Sequence, residues 1–276
     1  MPIRVFIDGE IHDEANARIP VFDRGFLYGD GVYEVTRTAS GRPVDLDRHL
    51  ERLERSAAAI ARTLEAAANP ESYLRVVLTR GDGLFGLDPG LSTQTRLVII
   101  VRPLVLPPAA HYADGIGVQV VDVRRTPRRS LDPRVKSGNY LNNIMALAEA
   151  RRHGADEGIM CNLEGRLAEG TTSNLFVVQG GVARTPLVAD GLLDGITRRR
   201  VMELGRAAGV SLEEASLVPE DLASADEAFL TSSIRGVLPV VRADGRPIAA
   251  GAPGPITRRV MSLYDDFLAS YRGGGL

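Results

Sequence analysis

Apolar and polar residues alternate with a period of two through much of the first third of the chain. The segments VFID (5–8) and GVYEVTRTASGRPV (31–44), arranged about a glycine-rich turn, read as β-strands, as do LRVVLTR (74–80) and TRLVIIVRPL (95–104). Between them the period changes to that of a helix. In DLDRHLERLERSAAAIARTLEAAANP, Leu46, Leu50, Leu53, Ala57, Ile60 and Leu64 recur at three- and four-residue spacing until Asn69-Pro70 stops the run. This predicts one helix lying on one face of a sheet. The stretch RRTPRRSLDPR (124–134) is rich in proline and charge and reads as an interdomain linker. It separates a small N-terminal α/β domain (1–123) from a larger C-terminal domain (135–276). The second domain is predicted to hold a helix over about 140–153, a hairpin DEGIMCNLEGRLAEG turning at Leu163-Glu164-Gly165, and a strand NLFVVQ. A helix ITRRRVMELGRAAG, a strand EAFLTS and a closing helix over 255–271 complete it. Strands and helices mix without regular βαβ alternation, which places the chain in the α+β class.

Composition narrows the function. The 276 residues are 44% hydrophobic and 25% charged with a formal net charge of −2, so no basic field exists to hold nucleic acid. No apolar stretch is long enough for a membrane span, and MPIRVFIDGE lacks a secretory pattern. With one cysteine, Cys161, no intramolecular disulfide can form, and a cytoplasmic protein is expected. Cys161 and the four histidines show no ligand spacing, so no metal is expected. Of the 33 basic residues only Lys136 is a lysine; the other 32 are arginines. Surface solubility is served by either cation, but arginine does not shed its proton to become a nucleophilic amine. A lone lysine in an arginine-rich chain therefore has two readings, chance retention or covalent chemistry such as Schiff-base capture of an aldehyde cofactor.

Six segments in order carry a resemblance: YGDGVYEV (28–35), HLERLERSA (49–57), KSGNYLNN (136–143), EGTTSN (169–174), LLDGITR (192–198) and TSSIRGVLPV (231–240). Together they resemble the class IV aminotransferases, the fold type IV pyridoxal-phosphate enzymes that include branched-chain aminotransferase, D-amino acid transaminase and aminodeoxychorismate lyase. The resemblance implies a two-domain fold type IV architecture and pyridoxal 5'-phosphate held by Lys136, which also shuttles the substrate proton. It implies Glu169 as partner of the pyridine nitrogen and Leu193 against the ring face. Tyr140 would donate to the phenolic oxygen. Arg52, Gly195, Ile196, Thr197, Ser232 and Ser233 fall where the family binds the cofactor's phosphate. For the substrate it points to Tyr73 and Arg75, the latter taking a distal carboxylate. Arg24 and Arg235 are candidates for the substrate carboxylate. Tyr28, Tyr33 and Arg24 are candidates for residues lent across a homodimer. The reaction implied is amino transfer between an amino acid, with D-amino acids favoured, and a 2-oxo acid such as 2-oxoglutarate or pyruvate. Branched-chain L-amino acid transamination follows, then (R)-amine transamination or aminodeoxychorismate lysis.

Overall fold

A computed structural model describes residues 2–50, 57–92 and 94–271. The chain forms two compact units. One comprises Met1–Val105 with Lys136–Asn139 and Leu268–Leu276; the other comprises Leu106–Val135 and Tyr140–Phe267.

The first unit is built on a six-stranded antiparallel sheet, ordered Glu10–Asp13, Arg4–Ile7, Arg96–Pro103, Ser72–Thr79, Gly31–Ala39, Arg42–Pro43. Its two tight hairpins turn at Asp8-Gly9 and Ser40-Gly41, where all four residues have positive φ. Two-residue loops of that hand match the right-handed twist of the flanking strands. Because side chains alternate across a strand, Leu74, Val76, Ile99 and Val101 share one face and pack with Phe6, Leu64 and Ala67. Each fully buried aliphatic side chain there contributes about 1.5–3 kcal/mol of transfer free energy. The opposite face carries Tyr33, Arg75, Val77, Val98 and Ile100, and it is this face that holds the candidate site. The predicted long helix is represented by Leu46–Leu50 and Ala57–Ala67, with residues 51–56 outside the described residues.

The second unit holds a nine-stranded mixed sheet, ordered Leu212–Glu214, Val182–Thr185, Asn174–Gln179, Glu227–Ser232, Gly236–Ala243, Ile116–Val121, Glu157–Cys161, Leu167–Gly170, with Arg246–Pro247 beside Gly236–Ala243. Strand Glu157–Cys161 is buried throughout, and Asn174–Gln179 and Glu227–Ser232 at every residue but the last, which requires cover on both faces. The rings of Phe176 and Phe229 stack at 4.7 Å across adjacent strands. Helices Leu141–Arg152, Ile196–Ala207 and Pro255–Ser270 match the predicted ones to within a residue or two.

The units cut the chain differently from the sequence expectation. Ile116–Val121, expected in the N-terminal domain, pairs in parallel with both Gly236–Ala243 and Glu157–Cys161 and so belongs to the second sheet. The expected linker 124–134 also lies in that unit, where Arg125 N donates to Cys161 O at 2.8 Å. Parallel pairing joins residues far apart in sequence and leaves no turn signature between the strands. Residues 136–139, expected with the C-terminal domain, join the first sheet instead.

Candidate active site

In the first unit the segment YGDGVYEV is held by two caps. Asp23 Oδ1 accepts from the backbone of Gly25 and Phe26 at 2.8 and 3.3 Å and starts the short helix Arg24–Tyr28. Gly29 ends that helix in the left-handed region at φ 66°, where an added Cβ would also meet Asn139 Oδ1 at 2.7 Å. The glycine therefore lets residues 136–139 run alongside the start of strand Gly31–Ala39. Tyr33 N donates to Lys136 O at 2.9 Å, Gly138 N donates to Gly31 O at 3.2 Å, and Val32 and Ser137 form an antiparallel bridge. These bonds set Lys136 next to Tyr33, with its Nζ 4.7 Å from the ring centre. The guanidinium carbon of Arg75 lies 4.1 Å from the same centre.

Tyr33, Arg75, Val77, Val98, Ile100 and Phe26 are among the residues lining a cavity of about 300 Å³ on this face. Arg75 Nε is buried there and has no hydrogen-bond partner among the described residues. The cavity thus sets one cation, Arg75, among aliphatic, aromatic and glycine walls, with Asp23 and Thr79 as its other polar side chains. Tyr28 and Tyr73 do not line it. Tyr28 stacks under Arg24 at 5.2 Å and near Phe85 at 6.4 Å, while Tyr73 lies under Arg102 at 4.4 Å.

Arg24 must be corrected as a candidate substrate ligand. It is 3% exposed, its Nη1 and Nη2 donate to the carbonyls of Gly86 and Leu87 at 2.8 and 3.3 Å, and its Nε to Asp30 Oδ2 at 3.3 Å. Those bonds make it an internal clamp on the loop that follows Arg80. Asp30 is the other half of the clamp. Its hydrogen bond from Arg80 Nε at 2.6 Å holds its carboxyl below the usual range, with Arg24 adding to the effect and partial burial opposing it. A depressed carboxyl stabilises the fold above the pKa of the unfolded chain and loses that effect as pH falls through the folded value. Asp30→Asn is therefore expected to lower unfolding free energy by about 1 kcal/mol or less at neutral pH. Urea unfolding stepped into the acid range should show the gap closing; a gap unchanged with pH would remove the charge from this account.

In the second unit Glu169, 6% exposed, is the third residue of the strand Leu167–Gly170. Arg125 Nε donates to its Oε1 at 2.6 Å and Leu193 N to its Oε2 at 3.0 Å. Leu193 O accepts from Asn174 Nδ2 at 2.9 Å, so both backbone polar groups of Leu193 are tied. Two residues on, Gly195 is the N-cap of helix Ile196–Ala207, which has no side-chain cap. A Cβ on Gly195 would stand 2.0 Å from Asn174 Oδ1, so the close approach that ties Leu193 excludes any larger residue. Ile196 and Thr197 are buried in the first turn, where free backbone N–H groups and the helix dipole favour an anion. Thr197 is not the cap itself. Tyr140, half-buried, is the N-cap residue of helix Leu141–Arg152.

Arg235 also departs from expectation. Its Nη2 donates to Glu157 Oε2 at 2.8 Å and Thr172 Oγ1 at 3.0 Å, so the proposed carboxylate trap is already paired with a buried protein carboxylate. Ser232 Oγ accepts from Arg235 N and Nε, and Ser233 lies in the same turn. The residue that sequence reasoning missed is Glu157, 2% exposed, which besides Arg235 accepts from Thr171 N at 3.1 Å, Thr171 Oγ1 and Ser173 Oγ. It orders the EGTTSN turn from inside, and its only sequence signal is an acidic residue opening the apolar strand EGIMC. Arg52 lies outside the described residues. Among those described, no cluster of His, Cys, Asp and Glu could hold a metal ion, and no helix is long and apolar enough to cross a membrane.

Residues 31–243 match the family model for class IV amino-transferases, so the chain belongs to the class IV aminotransferases. It is a pyridoxal-phosphate-dependent aminotransferase, acting on amino acids and 2-oxo acids. Over 279 residues it is 36% identical to a putative branched-chain-amino-acid aminotransferase of Methanocaldococcus jannaschii, covering 96% of each chain. It is 32% identical to a D-alanine aminotransferase of Bacillus licheniformis, over 97% of this chain and 98% of that one. The solved branched-chain amino acid aminotransferase of Escherichia coli superimposes with a TM-score of 0.90 at 28% identity, over 96% of this chain and 94% of that one.

The second unit fits the cofactor that the family uses. A buried carboxylate of the kind a protonated ring nitrogen requires is one hydrogen bond from the segment that opens an uncapped helix, which suits a phosphate.

Proposed function

We propose that Lys136 holds pyridoxal phosphate through its amine, that Glu169 faces the ring nitrogen, and that Leu193 lies against the ring. The first-turn N–H groups after Gly195, with Thr197, Ser232, Ser233 and Arg52, hold the phosphate in this reading, and Tyr140 donates to the phenolic oxygen. Bound there, the cofactor supplies an electron sink for the pair left when the substrate's Cα–H bond breaks. The chain supplies the rest. Lys136 would move the proton between the substrate's Cα and the cofactor's C4′. Glu169, oriented by Arg125 and Leu193 N, keeps the ring nitrogen protonated. Glu157 holds the EGTTSN turn and Arg235 in place.

For the substrate we propose aliphatic amino acids of the branched-chain type, with 2-oxoglutarate as acceptor. The observation that carries this is the cavity in which Arg75, with its buried, unpartnered Nε, stands among Val77, Val98 and Ile100. Such a site takes an aliphatic side chain on its walls or a distal carboxylate on its cation. Arg75→Met is expected to raise KM for 2-oxoglutarate about 10–100-fold, the loss of one charge-assisted hydrogen bond, while pyruvate stays within about threefold. Equal losses would exclude Arg75 from the distal carboxylate. A D-amino acid substrate is the second reading, supported by the 32% identity to a D-alanine aminotransferase. Mixing the loaded enzyme separately with L-leucine, D-alanine, D-glutamate and (R)-1-phenylethylamine decides it: the substrate that discharges the visible cofactor band gives the hand. A band discharged by D-alanine and not by L-leucine reverses the order. A second copy of the chain, in a reducing cytoplasm, is part of this proposal. Phe22, Phe26 and Phe85 are 57%, 64% and 79% exposed, large apolar side chains of the kind a partner protomer covers.

A further inference from the structure

Lys136 and Arg75 approach the Tyr33 ring from different neighbours of one strand. Strand Ser72–Thr79 lies along one edge of Gly31–Ala39, in a register that sets Val77 opposite Tyr33 and Arg75 opposite Val35. Residues 136–139 lie along the other edge, through the Val32–Ser137 bridge and the bond from Tyr33 N to Lys136 O. Both cations are within 5 Å of the ring centre, Lys136 Nζ at 4.7 Å and Arg75 Cζ at 4.1 Å. The ring is 6% exposed, and the attraction between a cation and the negative face of an aromatic ring is strongest where water is excluded. A lysine amine on a flexible four-carbon stem otherwise samples many rotamers.

We propose that the Tyr33 ring is the docking face of the Lys136 ammonium during the half of the cycle in which that amine is not bonded to the cofactor. This rests on the reading of Lys136 as the cofactor lysine. The positioning element in this proposal is the aromatic face, 4.7 Å from Nζ. Backbone pairing fixes where the stem starts, and the ring fixes where the charge rests, so the amine stays within reach of the reaction instead of being recruited from solvent in each turnover. Arg75 draws on the same ring, so the substrate-binding cation and the lysine share one support.

The chain's single lysine makes this directly observable. Lysine labelled with carbon-13 at Cε gives one side-chain NMR signal from the full-length enzyme. In the pyridoxamine-phosphate-loaded enzyme that signal is expected upfield of its position in the unfolded chain, displaced by the ring current. Tyr33→Phe keeps the displacement and Tyr33→Leu loses it. The transfer of the amino group from the cofactor to 2-oxo acid should slow about tenfold in Tyr33→Leu and stay within about twofold in Tyr33→Phe. A wild-type signal coincident with that of the unfolded chain overturns the inference, whether or not the leucine variant folds. So does a displacement that survives Tyr33→Leu. Borohydride reduction of the pyridoxal-loaded enzyme, followed by mapping of the modified residue, separates the two levels. Modification elsewhere removes both the lysine assignment and the docking; modification of Lys136 with an undisplaced signal removes only the docking.

Discussion

Lys136→Ala is expected to leave no borohydride-reducible bond between chain and cofactor and to lower turnover by at least about 10³-fold. The size follows from the role. A positioned acid–base group contributes about 10²–10⁴-fold, and this one also supplies the covalent attachment. No other lysine exists to take its place. Stability should fall by no more than about 2 kcal/mol, because Lys136 joins the first sheet through its carbonyl, which the substitution keeps, and what is lost is the contact of its amine with the Tyr33 ring. A loss of rate far larger than that small loss of stability separates chemistry from folding. A reducible bond retained in the variant would refute the assignment.

Glu169→Gln is expected to slow the amino-acid half-reaction by about 10²–10³-fold while weakening cofactor binding far less. Loss of one preorganised electrostatic partner to a developing charge has that magnitude. Structure complicates the experiment in a useful way. Glu169 is also the anion for Arg125, whose side chain is 13% exposed, and stranding a buried charge costs about 3–5 kcal/mol. The single variant should lose both stability and rate. Replacing both partners, as in Arg125→Met with Glu169→Gln, should restore much of the stability because no charge is left stranded, yet leave the rate low. Stopped-flow decay of the visible band and thermal melts read the two quantities separately. A double variant that recovers the rate would assign Glu169 a purely structural role.

The arginines mark where sequence reasoning stopped. Arg75 was the candidate for a distal carboxylate and Arg24 and Arg235 the candidates for the substrate carboxylate, but residue type alone gives each a fork of donors without saying what fills it. Burial and partners separate them. Arg24 is a buried clamp on backbone carbonyls, Arg235 is bound to Glu157, and Arg75 faces a cavity with an unpartnered Nε. The strand Ile116–Val121 was unreadable for a related reason. Both its neighbours are parallel and distant in sequence, so neither a hairpin turn nor alternation announces it. The strands Ser72–Thr79 and Arg96–Pro103 were legible because each is a run rich in β-branched residues, a signal contained within the segment itself.

From its sequence alone this chain disclosed an amine that cannot be replaced from within, which resides in residue type, and six ordered motifs whose resemblance to the class IV aminotransferases implied the activity. The tertiary structure alone decided what each charge rests on: Glu169 on Arg125 and Leu193, Asp30 on Arg80, Lys136 and Arg75 on one tyrosine ring. Contacts of a few ångströms between residues tens of positions apart depend on strand register and burial, and neither is written in any local stretch of the chain.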